Sequence, residues 1–153
     1  MTSQQNRLAS DFLDHAVEFA RASERLASKK PFLLHPTFYC ALHAIELALK
    51  SHLAAAGYAK SRLAGRELGH NLDRLFTHAR KCGHVVHAQI VPTVERTIKN
   101  GSRSYTRKSF EYPELFVTTV HIQRWIAIAN RIIHSADQKL RPRTQLGDLE
   151  CST

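Results

Sequence analysis

Cysteine is scarce in this 153-residue sequence, which contains only Cys40, Cys82 and Cys151. The three residues form no CxxC pair, and an odd number suits a reducing compartment better than a disulfide framework. A small domain without disulfides must be held together by its apolar core. With 43% hydrophobic residues, the chain can bury one continuous core.

Signatures of metal and nucleotide chemistry are also missing. The chain has no Gly-rich phosphate loop, no GxSxG elbow and no HExxH pair, which leaves the common hydrolase and nucleotide-loop classes without support. The nearest approach to a zinc set is His78, Cys82, His84 and His87, but Gly83 places it across a helix end and it has no paired cysteines. The sequence predicts no metal site and no cofactor.

Long hydrophobic runs are absent too. The two most apolar stretches, residues 42–56 and 116–133, are interrupted by charged or imidazole side chains such as Glu46, Lys50 and Arg131, which a bilayer would penalise. The N-terminus lacks the basic start and apolar run of a targeting signal. We therefore predict a cytoplasmic protein with no membrane partner.

Acidic residues are outnumbered by basic ones, 13 to 22, which gives a formal net charge of +9. Such an excess attracts polyanions at long range and favours counterion release on binding. Between residues 96 and 108 the basic residues occur without any acidic one and beside an aromatic ring. Cations that hold phosphates near a ring that stacks a base are typical of single-stranded nucleic-acid binding, and a solvated loop is an equal alternative. The candidate residues are Arg96, Lys99, Arg103, Tyr105, Arg107 and Lys108.

Apolar residues at helical spacing predict five helices, over residues 10–27, 36–56, 72–81, 87–99 and 113–135. Ser10 and Asn71 are expected to cap the first and third helices. Residues 61–70 are expected to form at most one helical turn, and residues 100–113 a long loop. The prediction is an all-α, up-and-down bundle of about five helices in a single domain, residues 1–140, with a mobile tail over 141–153.

The second helix, expected at the centre of the bundle, carries a polar stripe of Tyr39, His43, Glu46 and Lys50 at spacings of four, three and four. An exposed Glu-to-Lys ion pair one helical turn apart is the simpler interpretation. In the alternative, Glu46 orients His43 while Tyr39 and Lys50 contact an anion. Burial of the stripe against another helix would favour this alternative, because buried charges have to be paired.

Three short motifs occur in order along the chain: the string HAIELALK from His43 to Lys50, the turn GHNL from Gly69 to Leu72, and a Tyr112-Pro113 pair before the last long helix. In this order and spacing they resemble bacterial members of the HEPN-like superfamily, over roughly residues 32–133. The resemblance implies a helical bundle that commonly dimerises, and it implies a role in bacterial defence or toxin-antitoxin systems.

Catalytic members of that superfamily are metal-independent ribonucleases, in which an arginine, a polar residue and a histidine four to six positions after the arginine meet across a dimer interface. The nearest counterparts here are Arg131 and His134, with two residues between them, or Arg124 and His134, with nine residues between them. Neither spacing matches, which favours the non-catalytic members. These bind RNA, nucleotides or protein partners.

On the helical wheel of the last helix, one sector contains His121, Arg124, Arg131 and His134, and Asn130 lies beside it. Across a homodimer they would line a basic cleft, and histidine with arginine can supply the base, acid and cations of metal-free RNA cleavage. A solvated polar face is the favoured alternative. The sequence thus predicts a non-catalytic HEPN-like module, leaves enzymatic activity open, and names a metal-independent endoribonuclease using Arg131 and His134 as the second hypothesis.

Overall fold

The computed structural model describes residues 2–83, 91–106 and 122–141. Within these ranges the regular structure is entirely helical and consists of six helices. They are α1 (Ser3–Ala27), α2 (Leu34–Ala55), α3 (Lys60–Ala64), α4 (Leu72–Lys81), α5 (Val91–Thr106) and α6 (Ile122–Leu140). The predicted all-α bundle is confirmed, and the additional helix is the short α3, which occupies the segment expected to hold one turn.

Helix α2 lies at the centre of the bundle because it is apolar on nearly every side. All residues from Ala44 to Ala55 are buried, and α2 packs against α1, α6 and α4. A helix that is hydrophobic all round belongs in a core. The polar residues within this stretch, among them Glu46 and Lys50, are therefore buried as well.

Helices α1 and α2 run antiparallel and are joined at both ends by buried hydroxyl groups. Ser51 Oγ donates to the carbonyl of Ala9 at 2.7 Å, and Ser23 Oγ donates to the carbonyl of Thr37 at 3.0 Å. Ala9, Ala16 and Ala20 are buried on α1, and such small side chains let the two helices approach closely.

Helix α6 runs parallel to α2. Near their starts, the rings of Phe38 and Trp125 meet edge to face with centroids 5.2 Å apart. Near their ends, Lys139 Nζ lies 3.3 Å from Nε2 of His52. The connection between these two helices passes through α3, α4 and α5, which pack mainly against α2 and each other.

The start of α1 and the end of α5 differ most from the prediction, and α6 ends at Leu140 rather than near residue 135. Helix α1 begins at Ser3 rather than near residue 10, because Thr2 and Gln5 form a capping box and Ala9 packs against α2. Helix α5 continues to Thr106, so the loop expected from residue 100 is helical up to that point. Ser102 Oγ anchors this end of α5 by contacting Asn71 Oδ1 and the backbone N–H of Asp73 at the start of α4.

Candidate functional site

The polar stripe of α2 centres on Glu46, whose side chain is only 1% exposed. Lys50, one turn further along α2, places Nζ 2.5 Å from Oε1 of Glu46, and its side chain is 9% exposed. An ion pair at this spacing on a surface helix would contribute little. Here both charges are removed from water, so the burial that distinguishes the two interpretations of the stripe favours a built polar site over an exposed ion pair.

Two histidines complete the surroundings of Glu46. His70, in the turn between α3 and α4, places Nδ1 3.0 Å from Oε2, and its side chain is 69% exposed. His43 places its own Nδ1 3.5 Å from the same oxygen and is 19% exposed. We call His43, Glu46, Lys50 and His70 the Glu46 cluster. It reaches from the core to the surface, with the carboxylate inside and an imidazole outside.

Local structure fixes both imidazoles. The Asn71 side chain accepts from the backbone N–H of Arg74, so the residue after His70 is held as the cap of α4. The His43 ring lies edge to face against Phe19, with centroids 4.4 Å apart. Tyr39 stacks on His43 at 5.7 Å with an interplanar angle of 13°, and Tyr39 is 42% exposed. The cluster therefore continues into an exposed aromatic surface.

The arrangement has two chemical capacities. A carboxylate that accepts from Nδ1–H holds an imidazole in one tautomer and orientation, as in proton-transfer sites. Stacked rings at a surface offer a π-face to a planar ligand. The sequence predicted the alignment of Tyr39, His43, Glu46 and Lys50 from helical spacing. It placed His70 in the turn before α4 with a structural role and did not predict its contact with Glu46, which lies 24 residues away.

The other predicted candidates lie on α6. Arg124, Asn130, Arg131 and His134, which we call the α6 stripe, are all exposed, while the opposite face of the helix is buried against α1 and α2. In the described part of the chain, neither arginine forms an ion pair. Asn130 donates to Oε1 of Glu24 at 2.8 Å, and His134 Nε2 lies 2.9 Å from Nε2 of Gln138. The stripe is thus a basic face with two members already hydrogen-bonded inside the protomer.

The basic segment predicted to bind nucleic acid falls largely on α5. Arg96 and Lys99 are exposed on this helix, and Arg103 and Tyr105 belong to its final turns. Arg107 and Lys108 lie outside the described residues. Arg96 and Lys99 thus lie on a helix, as the sequence predicted, and the helix continues through Arg103 and Tyr105, which the sequence had placed in a long loop.

A second polar group, which the sequence did not predict, surrounds Tyr58. Its hydroxyl lies 3.1 Å from Nδ1 of His78, and the Nε2 atom of His78 lies 3.7 Å from Oε1 of Glu67. The Cys82 thiol is 4.0 Å from the same hydroxyl. Burial raises the pKa of the Tyr58 phenol, and the Cys82 contact raises it further, which keeps this phenol protonated.

The residues weighed as a zinc set are only partly described: His78 and Cys82 both contact Tyr58, while His84 and His87 lie outside the described ranges. Within those ranges no three His, Cys, Asp or Glu side chains are grouped to bind a metal ion.

Burial raises the pKa of the Cys40 thiol, which lowers its reactivity. None of the described helices has the length and apolar character to cross a bilayer.

Comparison with protein-family models, curated proteins and solved structures finds no match to this chain.

Proposed function

We propose that this chain is a HEPN-like helical module that binds single-stranded RNA as a homodimer, in a bacterial defence or toxin-antitoxin setting, and does not cleave it. The observation that carries the proposal is the α6 stripe. Arg124 and Arg131 are exposed two turns apart on one helix face and form no ion pair with any residue that the structure describes. Unpaired cations on a rigid helix are suited to phosphate contacts.

The charge of the whole chain supports a polyanionic ligand. The net charge of +9 gives an attraction that does not depend on base sequence. Arg96 and Lys99 add exposed cations on α5. The exposed ring of Tyr39 provides a surface on which a base can stack.

Two features support binding without cleavage. Asn130 is held by Glu24 of α1, and His134 is held by Gln138 of its own helix, so two members of the α6 stripe have partners within the protomer. In addition, Arg131 and His134 lie three residues apart, which departs from the spacing implied by the resemblance.

The proposal is tested by fluorescence anisotropy with a labelled single-stranded RNA over a range of salt concentrations. Replacing Arg124 and Arg131 together by Gln should weaken binding and reduce the slope of log K against log salt by about 1.4, because two phosphate contacts are lost. The matched control replaces Arg21 and Arg25 of α1, which are also exposed, and should leave the slope unchanged. Equal losses in both variants, or no binding by the wild type, would reject the proposal.

The second candidate function is a metal-independent endoribonuclease. Its supporting observation is that Arg131 and His134 share an exposed face, which a second copy can approach. Purified protein would then degrade RNA in the presence of chelator, and His134→Ala would abolish the activity. Degradation that survives His134→Ala would exclude this site, and intact RNA would favour the binding module.

A further inference from the structure

A cleft separate from the Glu46 cluster and the α6 stripe lies between the first turns of α1 and the connection from α2 to α3. Its volume is about 400 Å³, within the usual range for sites that hold small molecules. Side chains of α1, among them Arg7 and Asp11, form one wall, and the segment from Gly57 to Lys60 forms the other.

The cleft is lined by charges of both signs. Arg7 and Asp11 lie one turn apart on α1, and Lys60 begins α3 opposite them. All three are exposed, and none forms an ion pair with a residue in the described ranges. A concave surface with unpaired positive and negative groups matches a ligand that carries both charges.

An oriented amide adds a hydrogen-bond donor. Gln5 is held by the capping box, in which its Oε1 accepts from the backbone N–H of Thr2 at 2.9 Å. Its Nε2 faces Gly57, since a Cβ at that glycine would lie 3.7 Å from Nε2. Gly57 has a φ of 97°, a backbone conformation that residues other than glycine disfavour. The sharp turn at the end of α2, which forms this wall, therefore depends on a glycine at this position.

The apolar part of the cleft is formed by Leu8 and Tyr58. Tyr58 is fixed from two directions, because its hydroxyl contacts His78 and the Arg62 guanidinium lies over its ring, 4.4 Å from the centroid. A wall that is already ordered loses little entropy when a ligand packs against it.

We propose that this cleft binds a free α-amino acid with an apolar side chain. Lys60, Arg7 and the Gln5 amide receive the carboxylate, and Asp11 receives the ammonium group. The ligand side chain packs on Leu8 and the Tyr58 ring. The inference does not depend on the proposed RNA binding, since none of these residues belongs to the α6 stripe.

The test is isothermal titration calorimetry of the full chain with L-leucine and L-phenylalanine, and with the N-acetyl and amide derivatives of both. N-acetylation removes the ammonium charge and amidation removes the carboxylate, so each derivative should bind about tenfold more weakly or worse, as expected for loss of one charged hydrogen bond. Asp11→Asn should weaken binding of the free amino acid by a similar factor. It should leave binding of the N-acetyl derivative unchanged, because that ligand lacks the group that Asp11 contacts.

Two control variants match the charge changes. Asp14→Asn removes an exposed acidic residue three positions after Asp11 on α1, and Lys81→Gln removes an exposed lysine at the end of α4. Both variants should bind the amino acid like the wild type, whereas Lys60→Gln should bind it more weakly. Circular dichroism verifies that each variant is folded. The proposal is overturned if neither amino acid binds at millimolar concentration, if the N-acetyl derivatives bind as well as the free amino acids, or if the control variants lose as much affinity as the cleft variants.

Discussion

The ammonium group of Lys50 lies 2.5 Å from Oε1 of Glu46, with both side chains almost completely removed from solvent. Transferring each ion out of water costs several kcal/mol, which attraction and further hydrogen bonds must offset. The second carboxylate oxygen contributes to this, because it contacts Nδ1 of His70 at 3.0 Å. Glu46 therefore neutralises Lys50 inside the bundle and ties the turn before α4 to α2.

Glu46→Gln should lower the free energy of unfolding by about 3–5 kcal/mol, because it leaves the buried Lys50 ammonium without a counter-charge. Urea unfolding at neutral pH measures the loss. Glu18→Gln, an exposed change on α1, is the control and should stay within about 0.5 kcal/mol of the wild type.

Replacing both partners should be far less harmful than replacing one. In Glu46→Met combined with Lys50→Met, two apolar side chains of similar length fill the space, and stability should return to within about 1 kcal/mol of the wild type or exceed it. A double variant that is no more stable than Glu46→Gln would show that the contacts of Glu46 with the histidines, rather than its charge balance with Lys50, dominate.

The cap of α4 offers a smaller and separable effect. Asn71 Oδ1 accepts from the backbone N–H of Arg74 at 3.0 Å, so Asn71→Ala should cost about 1 kcal/mol. Asn71→Ser retains a capping oxygen and should recover most of this loss in the same urea titration. Equal stability of the two variants would mean that the contact with Ser102, rather than the cap, gives Asn71 its role.

Tyr58 should make stability depend on pH in alkaline solution. Its pKa is raised by burial and by Cys82, so between the unfolded value of about 10 and the higher folded value the native state binds more protons than the unfolded state. The stabilisation is complete below pH of about 10 and is lost as the pH rises through the folded pKa. Tyr58→Phe should therefore lose less stability than the wild type over this rise, measured by urea unfolding at a series of pH values. Parallel curves for the two proteins would contradict the raised pKa.

Local signals in the sequence were sufficient for much of the fold. The apolar residues of α2 occur on nearly all sides of the helix, which identifies it as the central element, and Asn71 before Leu72 has the chemistry of an N-cap. The predicted start of α1 was wrong by seven residues, because Ser10 is also a good capping residue and is the N-cap that the sequence predicts. What extends α1 to Ser3 is the Thr2–Gln5 capping box together with the packing of Ala9 on Ser51, 42 residues away.

The Glu46 cluster shows where sequence reasoning ends. Spacing places Glu46 and Lys50 on one helix face, but the same spacing occurs in exposed and buried ion pairs. Only the packing of α1, α4 and α6 around α2 removes the pair from water. His70 and Tyr58 acquire their partners through contacts between residues 20 or more positions apart, as in the Tyr58–His78 hydrogen bond, and no local pattern encodes these contacts.

The two buried serines that join α1 to α2 provide a test of how independently the ends of this helix pair are held. Ser23 and Ser51 each donate to a carbonyl of the opposite helix, and the α1 positions of the two contacts, residues 9 and 23, are about 21 Å apart along the helix. Each Ser→Ala change should lower the free energy of unfolding by about 1 kcal/mol, the net contribution of one such hydrogen bond. Because the sites share no partner, the losses should add to within about 0.5 kcal/mol in the double variant. A double variant that loses much less stability than the sum would mean that removing one serine hydrogen bond also breaks the other. In that case α1 docks on α2 as a single unit rather than through two separate ends.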